Sequence, residues 1–125
     1  MKTLLFTLPL LCAACTTSLR GHKASTHDES FTVYWDTASQ QDIVVDEYFV
    51  VRARVEPAPK TVDIDATMPD HRHGMLHKSD VRQLSHDTWL ASDMLFHMPG
   101  LWRVHFNITD EEGVVHRAES DVILE

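Results

Sequence analysis

The sequence predicts an all-β protein built as an antiparallel β-sandwich of about seven strands. Three observations predict it. Apolar residues recur with a period of two over most of the chain beyond residue 30, the signature of strands with one buried face. Proline, glycine and acidic clusters interrupt these runs at short intervals. No stretch carries an apolar stripe at helical spacing over three turns. A small open barrel is the other architecture that fits the same pattern.

The strands follow in order. Phe31, Val33 and Trp35 alternate with Thr32 and Tyr34. Phe49, Val51, Ala53 and Val55 alternate with Tyr48, Val50, Arg52 and Arg54. Glu56-Pro57-Ala58-Pro59-Lys60 ends that run, because two prolines remove ladder donors. Val62, Ile64 and Ala66 form the third inward series, broken by Pro69-Asp70. Val81–Leu95 is less regular and is expected to hold two short strands, near Val81–Leu84 and Trp89–Leu95. Pro99-Gly100 precedes the clearest alternation, Trp102, Val104, Phe106 and Ile108. Asp110-Glu111-Glu112-Gly113 reads as a hairpin loop with glycine available for positive φ, leading into a last strand from Val114 to Leu124. Trp102 faces inward by this alternation and is assigned to stability.

The first residues read differently. Lys2 precedes the apolar run Leu4–Leu11, too short to span a bilayer and matching a signal peptide over residues 1–14. Ala13-Ala14-Cys15 resembles a bacterial lipobox, which makes Cys15 the site of lipid attachment and of palmitate-type acylation. Cys12 stands where such a box usually has leucine, and ordinary secretion with cleavage near Ala13 or Ala14 is the alternative. Both cysteines lie in this region, so the domain beyond Cys15 has no disulfide and no thiol chemistry. Residues 15–30, rich in Thr, Ser and His, read as a lipid-attached tether, and 31–125 as the folded domain. Thr16 after the cysteine favours passage to the outer membrane. The expected location is the bacterial cell envelope, lipid-anchored in the outer membrane and facing the periplasm, with the membrane itself as a partner through Cys15.

Composition narrows the function classes. In 125 residues the formal charge is −8, which disfavours nucleic acid as a partner because phosphate contacts need a basic surface. Only 4 glycines occur, and neither a phosphate-binding loop nor a dinucleotide fingerprint is present. Ser79, Ser85 and Ser92 have acidic and His neighbours but no framing nucleophile motif. Asp63 and Asp65 share the solvent face of one strand. The chain is therefore expected not to be an enzyme.

The 9 histidines and 5 methionines are the unusual feature. Met68-Pro69-Asp70-His71-Arg72-His73-Gly74-Met75 places two imidazoles and two thioethers in one loop, and His97-Met98 closes a later strand. Soft thioether sulfur with imidazole and no thiolate is a copper-like donor set. The candidate metal ligands are His71, His73, Met75, Met98, His97 and Met68, with copper as the cofactor. The competing reading is a polar loop whose methionines fill the core, since Met68 and Met98 share parity with inward residues. His105 lies on the polar face of its strand and is expected to be solvated, and spacing identifies no partner for His77, His86 or His116.

Met68-Pro69, His71, His73-Gly74, then Phe96, Met98, Gly100 and Trp102 resemble the signature of the YtkA-like domain family. The resemblance covers most of Phe31 to Leu124. It implies an immunoglobulin-like sandwich in an exported protein or lipoprotein, with Trp102 filling the core. It also implies copper handling, and a partner among copper-trafficking or respiratory-oxidase assembly proteins. The loop Asp36–Asp46 lacks the Gly-containing acidic turn such domains often carry. A non-catalytic structural or protein-interaction domain of the envelope is the alternative function, with Leu76, Leu90 or Leu101 as contact residues.

Overall fold

The computed structural model describes residues 21–125. The expected signal peptide, residues 1–14, and the expected lipid site, Cys15, lie outside the described residues. Nine strands form two antiparallel sheets. The first sheet has the order β1 (His22–Ser25), β2 (Thr32–Thr37), β3 (Tyr48–Glu56), β7 (Thr88–Leu95), β6 (Asp80–Ser85). The second has the order β5 (His73–Gly74), β4 (Thr61–Met68), β8 (Gly100–Thr109), β9 (Val115–Leu124). The β-sandwich expected from the alternation is thus present, with nine strands rather than about seven. The two additions are β5, only two residues long, and β1, which comes from the segment read as a tether.

The period-two residues face each other across the sandwich. Val33, Trp35, Val51, Ala53 and Val55 of the first sheet pack against Ile64, Ala66, Val104, Phe106 and Ile108 of the second, all without solvent exposure. Trp35 meets Phe106 across the gap at 5.9 Å between ring centroids. Each such fully buried aliphatic or aromatic side chain contributes about 1.5–3 kcal/mol relative to exposure. That burial explains why alternation in sequence translates so directly into strands.

The irregular stretch has a specific cause. Phe49 pairs with Met94, but Val51 pairs with Ala91, so β7 carries one extra residue over this interval. Asp93 takes the bulge with φ of 59°. Inward parity shifts there, from Trp89 and Ala91 to Met94 and Phe96.

Every strand runs between the same two ends. One end carries the loops 38–47, 69–79 and 96–99, together with the close of β9. The other carries 26–31, 57–60, 86–87 and the hairpin 110–114, where Gly113 has the positive φ the sequence provides for (87°). Along one side the sheets meet where Thr26 bridges Ala118 of β9. On the other side Ser79, buried, donates its hydroxyl to the Ile64 carbonyl at 2.5 Å and ties the approach to β6 onto β4. Among the described residues no helix is long and apolar enough to cross a membrane.

Candidate functional site

The six predicted ligands gather at the first end, but as packing rather than as a coordination sphere. Met68 closes β4 and is buried, its side chain lying against Gly100 so closely that a Cβ there would stand 3.0 Å from the Met68 terminal methyl. Met75 and Met98 are half-buried and pack onto the core. The soft sulfur donors are thus used as apolar filling. The imidazoles form a row. His71 lies beside His73 at 5.8 Å between ring centroids, and His73 beside His97 at 5.4 Å. His73 Nδ1 donates to the Gly74 carbonyl at 3.0 Å. His73 and His97 both set their rings at steep angles to the Trp102 indole. His97 Nδ1 is enclosed without a hydrogen-bond partner among the described residues.

This arrangement corrects the copper expectation. Among the described residues no three His, Cys, Asp or Glu side chains are placed to hold a metal ion. Neighbouring positions in sequence brought His71 and His73 close, yet the loop lays their rings side by side. A copper cofactor held by His71, His73, Met75, Met98, His97 and Met68 is not supported.

Trp102 is the anchor of this end. It is fully buried, stacks on Phe96 at 4.5 Å with planes 4° apart, and donates from Nε1 to the Met98 carbonyl at 2.9 Å. That hydrogen bond explains the conformation of His97-Met98-Pro99 better than any metal does. Its inward position is as the alternation predicts.

Exposed apolar surface also collects here. Leu76 is 72% exposed and Tyr48 63%, both far beyond what the core pattern requires. His77 stands between loop and strand: its ring lies 5.7 Å from Tyr48, and its Nε2 donates to the Asp93 carbonyl at the β7 bulge at 2.7 Å. The bulge therefore supplies the acceptor that fixes the loop bearing Leu76. Leu90 and Leu101, the other contact residues suggested by sequence, are only half-exposed.

At the opposite end the structure assembles a cluster that spacing did not reveal. His116 Nε2 donates to Asp110 at 2.8 Å and Nδ1 to Asp28 at 3.0 Å. Ser30 Oγ lies 3.2 Å from the same Nδ1 and donates to Asp28 at 2.5 Å. Serine, imidazole and aspartate together suggest a nucleophilic triad, but the bonding opposes that use. A general base needs one unprotonated nitrogen facing the hydroxyl. Carboxylates on both nitrogens hold the imidazolium instead. Asp110, ahead of Asp28, raises the His116 pKa above its ordinary value despite partial desolvation. The Ser30 hydroxyl first, then Thr26, hold Asp28 far below the usual carboxylate range. His116 lowers Asp110 in turn, helped by the Val114 amide. The cluster is a charged clamp between the 26–31 turn and the β8–β9 hairpin. Asp110 reaches His116 across their own hairpin, while Asp28 and Ser30 are brought in by the nonlocal bridge of Thr26 to Ala118, which no local spacing signals.

His105 departs from expectation in the same way. It lies on the outward face of β8 but is largely covered, with Nε2 2.8 Å from the Thr67 hydroxyl and Nδ1 3.1 Å from Glu119. Arg103 beside it forms two hydrogen bonds to Asp121.

Comparison with known proteins returns no match: no family model, no curated protein and no solved structure is significantly similar to the chain.

Proposed function

We propose that this protein is a non-catalytic interaction domain of the bacterial cell envelope, held to a membrane by lipid on Cys15 and working by contact with a partner protein. The observation that carries the reading is the exposed Tyr48–Leu76 surface, fixed by His77 at the loop end of the sandwich. Monomeric surfaces expose single apolar side chains freely, but an exposed tyrosine at the start of β3, joined through His77 to a loop with an exposed leucine, offers the aromatic and apolar contact that interfaces enrich. The lipobox-like Ala13-Ala14-Cys15 supports the anchoring. The stacked Phe96 and Trp102 and the Met68–Gly100 contact support an immunoglobulin-like sandwich of YtkA-like type, since they give packing roles to the motif residues.

Purification of the intact chain from its native envelope in mild detergent tests this reading. Wild type should retain a companion protein at fixed stoichiometry, and a Tyr48→Ser, Leu76→Asp double variant should lose it. A companion retained equally by the variant, or none at all, overturns it. Labelling with radioactive palmitate should be abolished by Cys15→Ser, and persistent label would remove the anchoring step.

A further inference from the structure

The clamp at the hairpin end holds more than a turn. It ties down the segment from Gly21 to Ser30, which carries β1. That segment is lightly built in. Only Ala24 and Thr26 of it are buried. β1 pairs with β2 over four residues, and the second sheet is met at one bridge, Thr26 to Ala118. His22 stacks on Trp35 and Lys23 lies over Tyr34, both from exposed positions. A short strand with so little apolar burial opens more readily than the core strands do. Among the described residues, Asp28 on His116 is the only ion pair between this segment and the rest of the sandwich.

That tie depends on the proton of His116. Asp110 faces the ring from the hairpin and Asp28 from the turn, with the Ser30 hydroxyl beside Asp28. Phe31, at the head of β2, sets its ring edge-on at 5.2 Å, and Ile108 of β8 is the cross-strand neighbour. Arg117, next along β9, is engaged with Asn107. An imidazolium has an N–H for each carboxylate, and a neutral imidazole has only one. Asp110 keeps it, because its other oxygen is fixed by the Glu112 and Val114 amides at 3.0 and 2.9 Å. Nδ1 then turns a lone pair to Asp28 at 3.0 Å, and two acceptors face each other. Ser30 can give its proton to Nδ1 only by leaving Asp28. Asp28 holds Thr26 and Ser30 through its other oxygen, so the turn stays formed as it lets go.

We propose that residues 21–30 are a strap latched to the β8–β9 hairpin by protonated His116, and that loss of that proton lets the strap leave while the rest of the sandwich stays closed. Phe31, buried in the core, is the hinge. Asp110, ahead of Asp28, raises the His116 pKa, so the strap is held below the ordinary imidazole range and leaves as pH rises through the folded-state value. One consequence rests on the anchoring reading above. From Cys15 to Gly21 the chain reaches at most about 20 Å, and from Cys15 to Phe31 about 55 Å. Release of the strap therefore lengthens the tether and lets the domain stand off from its membrane.

Hydrogen exchange of the full chain in detergent micelles tests this, read amide by amide by NMR and corrected for the intrinsic effect of pH. From about pH 6 to about pH 8.5 protection of the β1 amides should fall about tenfold, the order of one charge-assisted hydrogen bond, while β3 and β8 keep theirs. His116→Gln should remove that pH dependence. Asp28→Asn is the sharper variant, because its amide stands where the carboxylate faced Nδ1 and donates to the neutral ring. Its strap should hold better at about pH 8.5 than at about pH 6, the reverse of wild type. A β1 that exchanges in step with β3 at every pH, or an Asp28→Asn variant that follows the wild-type course, overturns the proposal. Palmitate label that persists in Cys15→Ser removes the change of reach and leaves the latch standing.

Discussion

The two ends of the sandwich hold histidines on opposite terms. At the loop end His71, His73 and His97 lie within neighbouring ring distances, yet His73 and His97 are placed by packing against Trp102, His73 also by its bond to the Gly74 carbonyl, and His71 lies exposed beside His73. At the hairpin end a single histidine, His116, is gripped on both nitrogens by carboxylates, one of them 88 positions away in the chain. Density of a residue type in sequence selected the first group, and charge geometry in space selected the second. The difference teaches that imidazoles become chemically committed when strand pairing brings charged partners to them, and that crowding in one loop does not do it.

The comparison breaks most visibly if the loop end depends on something other than Trp102. Trp102→Ala removes the indole stacked on Phe96 and its hydrogen bond to Met98, and should cost about 3–5 kcal/mol of stability in urea unfolding. A loss below about 1 kcal/mol would mean that this end is held by the imidazole row or by an unseen ligand. Gly100→Ala should cost less, about 1–3 kcal/mol, because φ is 122° and the added methyl meets Met68. Met68→Ala carries a cavity cost of its own, about 2–5 kcal/mol, but within that background Gly100→Ala should cost only its backbone strain, which separates the two causes.

The hairpin end is sharpened by pH. The folded-state pKa of His116 is raised above 6.5, so its contribution is fully present below that value and is lost as pH rises through the folded pKa. Asp28 and Asp110 are lowered from 3.8, so theirs is present above that value and lost as pH falls. The clamp is therefore strongest in mildly acidic solution. Urea midpoints of wild type should fall from about pH 6.5 upward relative to those of His116→Gln, whose profile should be flatter there. Parallel profiles would show that the clamp does not discriminate folded from unfolded chain.

These contrasts also mark what was legible in the sequence. Strict alternation made β2, β3, β4 and β8 readable, because one apolar face against another sheet leaves no other use for period two. β7 was blurred by the Asp93 bulge, which moves buried parity from Ala91 to Met94. β1 was hidden among polar residues, since only Ala24 of its four faces the core. Of the candidate site, the inward positions of Trp102 and Met68 were readable from parity. The use of methionine sulfur as filling was one of two open readings, and the packing of Met68 against Gly100 and of Met75 and Met98 onto the core decides it. The His116 clamp was unreadable, because Asp28 and Ser30 come from the β1–β2 turn, more than eighty positions away, and Asp110 alone does not mark a clamp.

The smallest expected effect tests the loop end directly. Wild type and a His73→Ala, Met75→Ala variant should take up Cu(I), Cu(II) and Zn(II) with indistinguishable affinity, and added metal should not move the unfolding midpoint of either. The reason is geometric. Binding stabilises a fold only as far as the folded state presents a better donor set than the unfolded chain does. Here Met68 would have to leave the core, His73 would have to give up its Gly74 bond, and the ring row would have to close around one point. Each movement takes apart packing that Trp102 and Phe96 hold in place. Tighter, saturable uptake by wild type alone would show that the loop rearranges at less cost than its packing implies, and the contrast between the two ends would then be one of rigidity and not of chemistry.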